Sequence, residues 1–484
     1  MQSKVLLDAL RRDDLLVSAP TSLPEFAGLG VDSRSVVPGQ LYIAVRGSQV
    51  DGHRYIGDAV RRGAAAVVVE QPQSSGVPEI VVRDGRRAAL ALGAAWYDHP
   101  GRRLTLLGVT GTNGKTTTTG LLKHLFNEHG TAASIGTLGA FDGQGDPIVS
   151  TAGSLTTPGP VDLQATLAEL VTRGTTHVAM EASSHSLDQG RLDGLLFAAG
   201  IFTNLTRDHL DYHGTMNAYL AAKLKLSALL GSSGLEVVNL DDEAWQAMPQ
   251  RSPRVTFGLN AAADVRASGI VLDSSGSRFE LSGRFGTADV SLPLLGDFNV
   301  ANALAAAACA LGLGRELGDV VARLAVAPQV PGRMERISDV PSVVLRDYAH
   351  TPDALKRALA TLKPLTRGRL IVVFGCGGDR DRGKRAIMGR IAAEGADLAV
   401  VTSDNPRTED PDAIVDDVEQ GMGSVPHRRI TDRLAAIHAA LEEARPGDTL
   451  LLAGKGHETY QVVGIEKIPF DEREIVERAV KGQR

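Results

Sequence analysis

The sequence predicts an α/β protein of three domains, the middle one built on a P-loop and a mostly parallel sheet. Three observations predict this fold. The chain has 484 residues, too many for one hydrophobic core. A glycine-rich turn lies between an apolar strand and a helix, and short apolar segments alternate with helical ones beyond it. We therefore predict a small N-terminal α/β domain (1–102), a central P-loop ATPase-like domain (103–330) and a C-terminal Rossmann-like α/β domain (331–484).

The composition excludes several classes of protein. Hydrophobic residues make up 43% of the chain and charged residues 22%, as in ordinary globular proteins. A net charge of −6 argues against a nucleic-acid-binding surface. The two cysteines, Cys309 and Cys376, lack metal-ligand spacing, and no apolar run is long enough to span a membrane. We expect a cytoplasmic monomer that acts on small molecules, with no nucleic-acid or membrane partner.

The N-terminal domain is predicted from short apolar strands separated by turn signals. The strands are placed at 40–45 and 65–69. A turn-rich segment at 98–103 ends this region and leads into the middle domain.

The middle domain begins with a strand at 104–109 and a helix at 115–128, followed by Gly130 as a C-cap. The turn between them suits phosphate, because its backbone N–H groups and the helix N-terminus attract anions. Lys115 can reach the outer phosphates and the Thr116 hydroxyl can hold Mg²⁺. Gly108 lies six residues before Gly114, one more than the general motif allows. The sequence predicts a nucleoside triphosphate site on a variant loop, formed by Gly111, Thr112, Asn113, Gly114, Lys115, Thr116 and Thr117; a ligand-free glycine turn is the alternative.

Further polar segments follow the next predicted strands, at 177–180, 200–204 and 236–240. Glu181 comes directly after the first of these, at the sheet edge where open α/β sheets bind ligands, and could hold Mg²⁺. A serine-rich helix cap at 181–185 is the alternative interpretation.

Two aspartates and two histidines lie together in the segment 204–213. With no cysteine nearby, and with a triphosphate as neighbour, the segment favours magnesium over zinc. His209 is our candidate, whereas His213 could equally be a surface histidine. Lys223, on a helix predicted at 216–230, has the local sequence of an ordinary solvated lysine. An alanine-rich buried helix is predicted at 299–313.

The C-terminal domain is predicted to begin after a boundary at 330–333. Strands at 369–374, 398–402 and 448–453 each precede a polar or glycine-rich loop. The first loop, 375–385, does not fit the dinucleotide fingerprint. The second contains Asp404-Asn-Pro-Arg407, where Asn-Pro alone indicates only a turn. The third is Gly454-Lys-Gly-His-Glu458.

The order of these motifs resembles that of the Mur ligases of peptidoglycan synthesis. The shared motifs are Gly-Thr-Asn-Gly-Lys-Thr-Thr, Glu-x-Ser-Ser-His, Asn-x-Thr-x-Asp-His-Leu-Asp-Tyr-His and Ala-Ala-Lys. The resemblance spans essentially the whole chain and closely fits the MurE type, which adds the third stem-peptide residue to UDP-N-acetylmuramoyl-L-alanyl-D-glutamate. It implies ATP-dependent amide formation through an acyl phosphate, with ATP and Mg²⁺ as cofactors.

The resemblance also implies roles for individual residues. Lys223 matches a lysine that CO₂ converts to a carbamate, which would join Thr116, Glu181 and His209 at the metal; Lys115, Lys223, Glu181 and His209 are thus implied as the catalytic set. The further ATP-binding residues implied are Asn299, Asn302, Arg333 and Asp347, the last two when the third domain closes on ATP. The implied positions for the UDP-muramoyl dipeptide are Val31, Ser33, Ser48, Gln49, Val50, Thr156, Thr157, Ser183, Gln189 and Arg191.

The segment 404–407 resembles the signature of Mur ligases that add meso-diaminopimelate. A guanidinium such as that of Arg407 can bind the distal carboxylate of diaminopimelate with two parallel hydrogen bonds, and it would repel the ammonium group of lysine. The Gly454 carbonyl and the Glu458 carboxylate would receive the distal ammonium. The implied diaminopimelate residues are Arg380, Asp404, Asn405, Pro406, Arg407, Gly454 and Glu458. Three alternatives stay open: addition of L-lysine, a folate polyglutamylating ligase, and a P-loop NTPase switch or binding module without an acceptor.

Overall fold

The computed structural model describes residues 2–47, 50–148 and 155–482. The chain forms two compact units, the first made of Met1–Arg266 and Leu304–Glu316, the second of Ala267–Ala303 and Leu317–Arg484. Strands and helices alternate through both units, and this mixed α/β architecture confirms the predicted fold class. No helix in the described ranges combines the length and the apolar composition needed to cross a membrane.

The N-terminal part of the first unit is a five-stranded sheet with strand order β1-β5-β4-β3-β2. It is parallel except for β1 against β5. Buried aliphatic side chains such as Leu41 and Val68 pack with Leu10 and Leu92 of the flanking helices. The elements are α1 (Gln2–Arg12), β1 (Leu16–Ser18), β2 (Gly28–Gly30), β3 (Gln40–Ile43), α2 (Ile56–Arg61), β4 (Ala66–Val69), β5 (Glu79–Val82) and α3 (Gly85–Trp96).

The rest of the first unit is built on a second sheet around the P-loop strand. Its elements are β6 (Thr105–Thr110), α4 (Lys115–Phe126), β7 (Ala132–Gly136), β8 (Gly139–Phe141), α5 (Pro160–Thr172), β9 (His177–Glu181), α6 (Ser184–Asp188), β10 (Phe197–Phe202), α7 (Leu210–His213), α8 (Met216–Ala228), β11 (Leu230–Asn239) and β12 (Arg254–Gly258). The strand order is β12-β11-β10-β6-β9-β7-β8. All pairs except β7–β8 are parallel.

The register of this sheet positions the candidate site. Strand β6 lies between β9 and β10, with Val109 opposite Glu181 and Thr110 opposite Phe202. Because parallel strands share their carboxyl edge, the loops after these three strands meet. Helix α4 ends at Phe126, two residues before the predicted end.

A group of elements not fully predicted follows along the chain: β13 (Val265–Asp273), β14 (Gly276–Gly283), β15 (Gly286–Leu292), α9 (Asp297–Gly312) and α10 (Leu317–Leu324). The antiparallel pair β14–β15 was not predicted. Helix α9 was predicted at 299–313, and its alanines from 303 to 310 are fully buried, since small side chains allow close packing.

The C-terminal sheet of the second unit has the order β16-β17-β21-β18-β19-β20, parallel except for β16. Alternate strand residues face two separate cores, for example Val372 and Val373, so helices cover both faces. The elements are β16 (Glu335–Ser338), β17 (Val343–Asp347), α11 (Pro352–Leu362), β18 (Leu370–Phe374), α12 (Gly383–Gly395), β19 (Leu398–Val401), α13 (Pro411–Glu419), β20 (Arg428–Arg429), α14 (Arg433–Glu443), β21 (Thr449–Ala453), β22 (Tyr460–Val463), β23 (Glu466–Pro469) and α15 (Glu472–Gly482).

Candidate functional site

The P-loop is anchored on the segment that follows β10. Gly111 has φ +149°, and a Cβ there would lie 1.9 Å from Thr203 Oγ1, so the loop needs glycine at this position. The amide N–H of Thr112 donates to the Asn204 carbonyl at 2.7 Å. Asn113 N donates to Asn204 Oδ1 at 2.9 Å. These contacts tie the loop to Thr203 and Asn204 at the N-terminus of α4.

Two lysines meet at this loop. Lys115 Nζ donates to the carbonyls of Gly111 at 2.9 Å and Thr112 at 2.8 Å. Lys223 Nζ donates to the same Gly111 carbonyl at 2.7 Å. The structure thus brings together two predicted site residues that are more than a hundred positions apart in the sequence.

Lys223 is not the solvated lysine that its local sequence predicts. It is 1% exposed, and its ammonium group lies 4.3 Å from the centre of the Tyr219 ring. Burial lowers the pKa of Lys223 well below its usual value, and the positive charge of Lys115 acts in the same direction. The pKa shift favours the uncharged amine, which is the nucleophilic form.

Glu181 is the last residue of β9 and is 1% exposed. Its carboxylate accepts hydrogen bonds from Thr137, from N at 2.9 Å and from Oγ1 at 3.1 Å. A Cβ on Gly136 would lie 2.3 Å from Glu181 Oε1, so the carboxylate packs against Gly136 only because this residue has no side chain. The alternative interpretation of the segment 181–185, a serine helix cap, is also present in the structure. Ser183 caps α6, and its Oγ accepts from Ser186 N at 3.2 Å.

His209 lies at the start of α7 in the left-handed conformation, with φ +53°. The centre of its ring lies 4.9 Å from the centre of the His185 ring and 6.1 Å from the centre of the Tyr219 ring. Burial lowers the pKa of His209, so the neutral imidazole that binds metals is favoured. His213 is half-buried, with Nε2 3.0 Å from Ser184 Oγ.

The donors around the P-loop fit a hard cation. The hydroxyl of Thr116 is buried and the carboxylate of Glu181 lies at the adjoining sheet edge. Hydroxyl and carboxylate oxygens are ligands that Mg²⁺ prefers. Over the ranges that the structure describes, no three His, Cys, Asp or Glu side chains converge into a metal-binding group.

The residues predicted to hold the peptide part of a substrate form one hydrogen-bonded group beside Glu181. Thr157 Oγ1 donates to the Glu181 carbonyl at 2.8 Å. Arg191 Nη1 donates to the Thr157 carbonyl at 2.9 Å, and its Nη2 to Gln189 Oε1 at 2.6 Å. Arg191 is half-buried. Thr156 Oγ1 accepts from Thr137 at 3.3 Å.

In the N-terminal sheet region, Ser33 is buried at the edge of a cavity of about 400 Å³. The cavity is lined by Ser33, Arg34, Asp58, Arg61 and Arg62. Val31 is half-buried and Val50 exposed. Ser48 and Gln49, also predicted for this site, lie outside the described residues.

Asn299 and Asn302 lie in the first two turns of α9, and both are buried. Asn299 Nδ2 donates to the Leu295 carbonyl at 2.8 Å. Asn302 Nδ2 donates to Asn299 Oδ1 at 3.0 Å. The two amides are therefore held in one orientation.

Arg333 and Asp347 lie together in the second unit. The Arg333 guanidinium lies 5.0 Å from the centre of the Tyr348 ring, and Asp347 Oδ2 accepts from Met334 N at 2.7 Å. Burial raises the pKa of Asp347, whereas the charge of Arg333 opposes this. His457 also packs on Tyr348, at 5.5 Å, and burial lowers its pKa to about 4. No role for Tyr348 or His457 was predicted from the sequence.

The segment 404–407 follows β19 and contacts the loop after β21. Asp404 and Asn405 are buried, and Asn405 Nδ2 donates to Glu458 Oε2 at 2.9 Å. Arg407 has φ +52° and donates from Nη1 to the Gly378 carbonyl at 2.7 Å. The interpretation of this segment as a simple turn is incomplete, because its side chains join three loops.

The loop that carries Arg380 is held by Glu409. The carboxylate of Glu409 accepts from Asp379 N at 2.6 Å, Arg382 Nη2 at 2.8 Å and Arg385 Nη2 at 2.8 Å. Arg380 is exposed, and within the described ranges its side chain donates only to the neighbouring Asp379 carbonyl.

Lys455 is a site residue that sequence reasoning missed. It is 0% exposed and lies between Asn405 and Glu458. Its only local signal is a lysine between two glycines directly after a fully buried strand.

Comparison with known proteins assigns the chain to a family. Three family models match successive segments: the Mur ligase family catalytic domain at 25–95, the Mur ligase middle domain at 109–310 and the Mur ligase glutamate ligase domain at 332–456. The sequence is 44% identical over 470 residues to the UDP-N-acetylmuramoyl-L-alanyl-D-glutamate–2,6-diaminopimelate ligase of Geobacillus kaustophilus, covering 95% of each chain. It is 46% identical over 477 residues to the ligase of the same name from Alkalilimnicola ehrlichii, covering 94% of each.

A solved structure of a UDP-N-acetylmuramoyl-L-alanyl-D-glutamate–2,6-diaminopimelate ligase matches the model with a TM-score of 0.65 and 36% identity, covering 95% of each chain. The resemblance found in the motifs is thereby confirmed over the full length. The chain belongs to the Mur ligase family.

Proposed function

We propose that this protein is a UDP-N-acetylmuramoyl-L-alanyl-D-glutamate–2,6-diaminopimelate ligase, acting in peptidoglycan precursor synthesis. It joins the γ-carboxylate of D-glutamate to an amino group of meso-diaminopimelate at the expense of ATP. One observation carries the choice of amino acid: Arg407 and Glu458 lie on loops that Asn405 joins. A cation and an anion held together suit a zwitterionic head group.

The reaction has two steps. A γ-carboxylate oxygen attacks the γ-phosphorus of ATP and the bond to the ADP oxygen breaks, which gives an acyl phosphate and ADP. The amine of diaminopimelate then attacks the acyl carbon, loses its proton, and phosphate leaves as the amide forms. The P-loop amides and Lys115 stabilise the phosphoryl charge. Lys115 is poised for this, because its Nζ is held at the loop by two carbonyls that phosphate oxygens can replace.

Thr116, Glu181, His209 and a carbamylated Lys223 would hold Mg²⁺. When bound, the ion neutralises phosphate charge and orients the oxygens of the triphosphate. The carbamate forms when the Lys223 amine adds to the carbon of CO₂ and releases a proton, which leaves a carboxylate-like anion. Burial of Lys223 supports this step, since it favours the uncharged amine. Enrichment with ¹³C-bicarbonate followed by NMR detects the carbamate independently of activity.

The further ATP contacts that we assign are Asn299, Asn302, Arg333 and Asp347. Arg333 supports this role because its guanidinium lies 5.0 Å from the centre of the Tyr348 ring, which places a cation beside an aromatic face. The cavity at Ser33 supports a uridine diphosphate site, since three arginines line it. The whole set assigned to the UDP-muramoyl dipeptide is Val31, Ser33, Ser48, Gln49, Val50, Thr156, Thr157, Ser183, Gln189 and Arg191.

For diaminopimelate, Arg407 and Arg380 bind the distal carboxylate, and Glu458 with the Gly454 carbonyl binds the distal ammonium. Asp404, Asn405 and Pro406 shape the loop between them. L-Lysine lacks the distal carboxylate, so its binding would leave both guanidinium groups without that partner and set an ammonium near them. The same argument disfavours an ATPase without acceptor, since these groups would have no role in it. We further propose that the enzyme works as a cytoplasmic monomer on small molecules alone.

The activity is tested with the purified protein, ATP, Mg²⁺ and the UDP-muramoyl dipeptide, with either meso-diaminopimelate or L-lysine. Phosphate release and product mass are followed together. We expect both to depend on the dipeptide and on diaminopimelate. Phosphate release that needs neither of the two amino acids would contradict the proposal. Equal product yields from meso-diaminopimelate and from L-lysine would also contradict it.

A further inference from the structure

Lys455 is a fully buried cation in the loop that follows β21. Burying an ammonium group costs several kcal/mol unless it is paired and hydrogen-bonded. Its Nζ donates to Asn405 Oδ1 at 3.1 Å and to Glu458 Oε2 at 3.2 Å, and it lies 3.6 Å from Asp404 Oδ1. These partners belong to two loops that are some fifty positions apart in sequence, and Lys455 joins them.

The contacts of Lys455 fix the orientation of Asn405. Asn405 Oδ1 accepts from Lys455 and also from Val462 N at 2.9 Å. With its oxygen held by two donors, the amide must direct Nδ2 the other way, and Nδ2 donates to Glu458 Oε2 at 2.9 Å. The ammonium group of Lys455 and the backbone amide of Val462 therefore hold the orientation of this amide together.

The same contacts leave one carboxylate oxygen of Glu458 available. Oε2 receives hydrogen bonds from both Lys455 and Asn405. Within the described ranges Oε1 takes part in no hydrogen bond, and the side chain keeps 18% of its surface exposed. Asp404 and Glu458 carry two negative charges against the single positive charge of Lys455. The cluster of Asp404, Lys455 and Glu458 therefore has one excess negative charge, which one ammonium group of a ligand would neutralise.

We propose that Lys455 is a positioning residue for the amino-acid acceptor. It holds the loops 404–407 and 454–458 together and turns Glu458 so that Oε1 meets the ammonium group of the zwitterionic distal head. It also reduces the charge of the cluster to the value that a single ammonium group neutralises. The inference rests on the proposed function, since it names how the acceptor site of that ligase is built.

The test is the variant Lys455→Met, which keeps an unbranched side chain, one atom shorter, and removes the charge. We expect the KM for diaminopimelate to rise by about ten- to a hundred-fold, because one partner of a buried charge pair has been removed. The KM for ATP should stay unchanged. The preference for diaminopimelate over L-lysine should fall. If this variant does not fold, Lys455→Arg retains the charge but displaces it, and the same rise in KM is expected.

A matched control is Arg254→Met, which removes another cation paired with a buried carboxylate, Glu236, at 2.7 Å. This variant should lose thermal stability but keep the KM for diaminopimelate. A rise in KM of equal size in the control would assign the effect of Lys455 to general destabilisation and overturn the inference.

A double-mutant cycle with Glu458→Gln separates positioning from independent binding. If Lys455 acts through Glu458, the double variant should have about the KM of Glu458→Gln alone. If the rise in KM of the double variant equals the product of the rises in the two single variants, the inference is overturned. An unchanged KM in Lys455→Met would overturn it as well. A wild-type protein that does not use diaminopimelate would instead contradict the proposed function itself.

Discussion

Lys115 and Lys223 donate hydrogen bonds to the same carbonyl oxygen, that of Gly111, at 2.9 and 2.7 Å. Two ammonium groups at one acceptor repel each other, and this repulsion adds to burial in lowering the pKa of Lys223. A carbamate on Lys223 would replace the repulsion by attraction. The pair therefore links the phosphate loop to the proposed modification.

The first prediction concerns which lysine matters. Lys223→Ala should lose about a hundred-fold or more in kcat, because an anion that acts on transition-state charge is removed. Lys225→Ala is the control, since Lys225 is half-exposed and forms a surface ion pair with Asp188. Steady-state phosphate release measures both. Comparable losses in the two variants would show that Lys223 has no special role.

The second prediction uses the close approach of Gly136 to Glu181. In Gly136→Ala the added methyl would lie 2.3 Å from Glu181 Oε1, so the carboxylate must move. We expect the Mg²⁺ concentration for half-maximal activity to rise several-fold. Gly159→Ala is the control, because its added methyl meets only Asp162 Oδ2, at 3.5 Å. An unchanged Mg²⁺ dependence in Gly136→Ala would exclude Glu181 from the metal site.

The third prediction is a pH dependence of stability. The hydrogen bond from Arg385 is the main cause that lowers the pKa of Glu409 to about 2. A carboxyl whose pKa is lower in the folded state stabilises the fold above its unfolded pKa of about 4.3, and this contribution is lost as pH falls toward 2. The Tm of wild type should therefore exceed that of Glu409→Gln at neutral pH, and the two should converge on acidification. A Tm difference that does not change with pH would rule out the charge of Glu409 as its source.

The fourth prediction distinguishes two neighbouring arginines. Arg382 is paired with Glu409, whereas Arg380 is exposed on the same loop. Arg380→Ala should raise the KM for diaminopimelate about ten-fold or more, since it removes a charge-assisted contact with the carboxylate. Arg382→Ala should change it little. The opposite order, measured by steady-state kinetics, would transfer the role to Arg382.

The sequence predicted the P-loop strand and helix within two residues, because turn chemistry and apolar spacing are local signals. It did not predict the hairpin β14–β15. Polar and apolar residues alternate in β14, which is a strand signal, but the turn at 284–285 lacks a tight-turn signature. The boundaries of the three predicted domains stay a prediction.

The candidate site was predictable where motifs are contiguous, as at Asp404-Asn-Pro-Arg407. It was not predictable where burial depends on distant segments. The local sequence of Lys223 indicates a solvated residue, and only the packing of α8 against the P-loop buries it. Lys455 gains its partner Asn405 from a loop fifty positions away. The burial of Lys223 and of Lys455 produces no periodic pattern in the local sequence.

The most direct measurement of the central claim compares kcat/KM for meso-diaminopimelate and for L-lysine in the wild type and in Arg407→Ala. We expect the wild type to prefer diaminopimelate strongly. The variant should lose about thirty-fold or more of that preference, which corresponds to about 2 kcal/mol for truncating one partner of a charge pair. Equal kcat/KM for the two amino acids in the wild type, or a preference that survives in Arg407→Ala, would contradict the account.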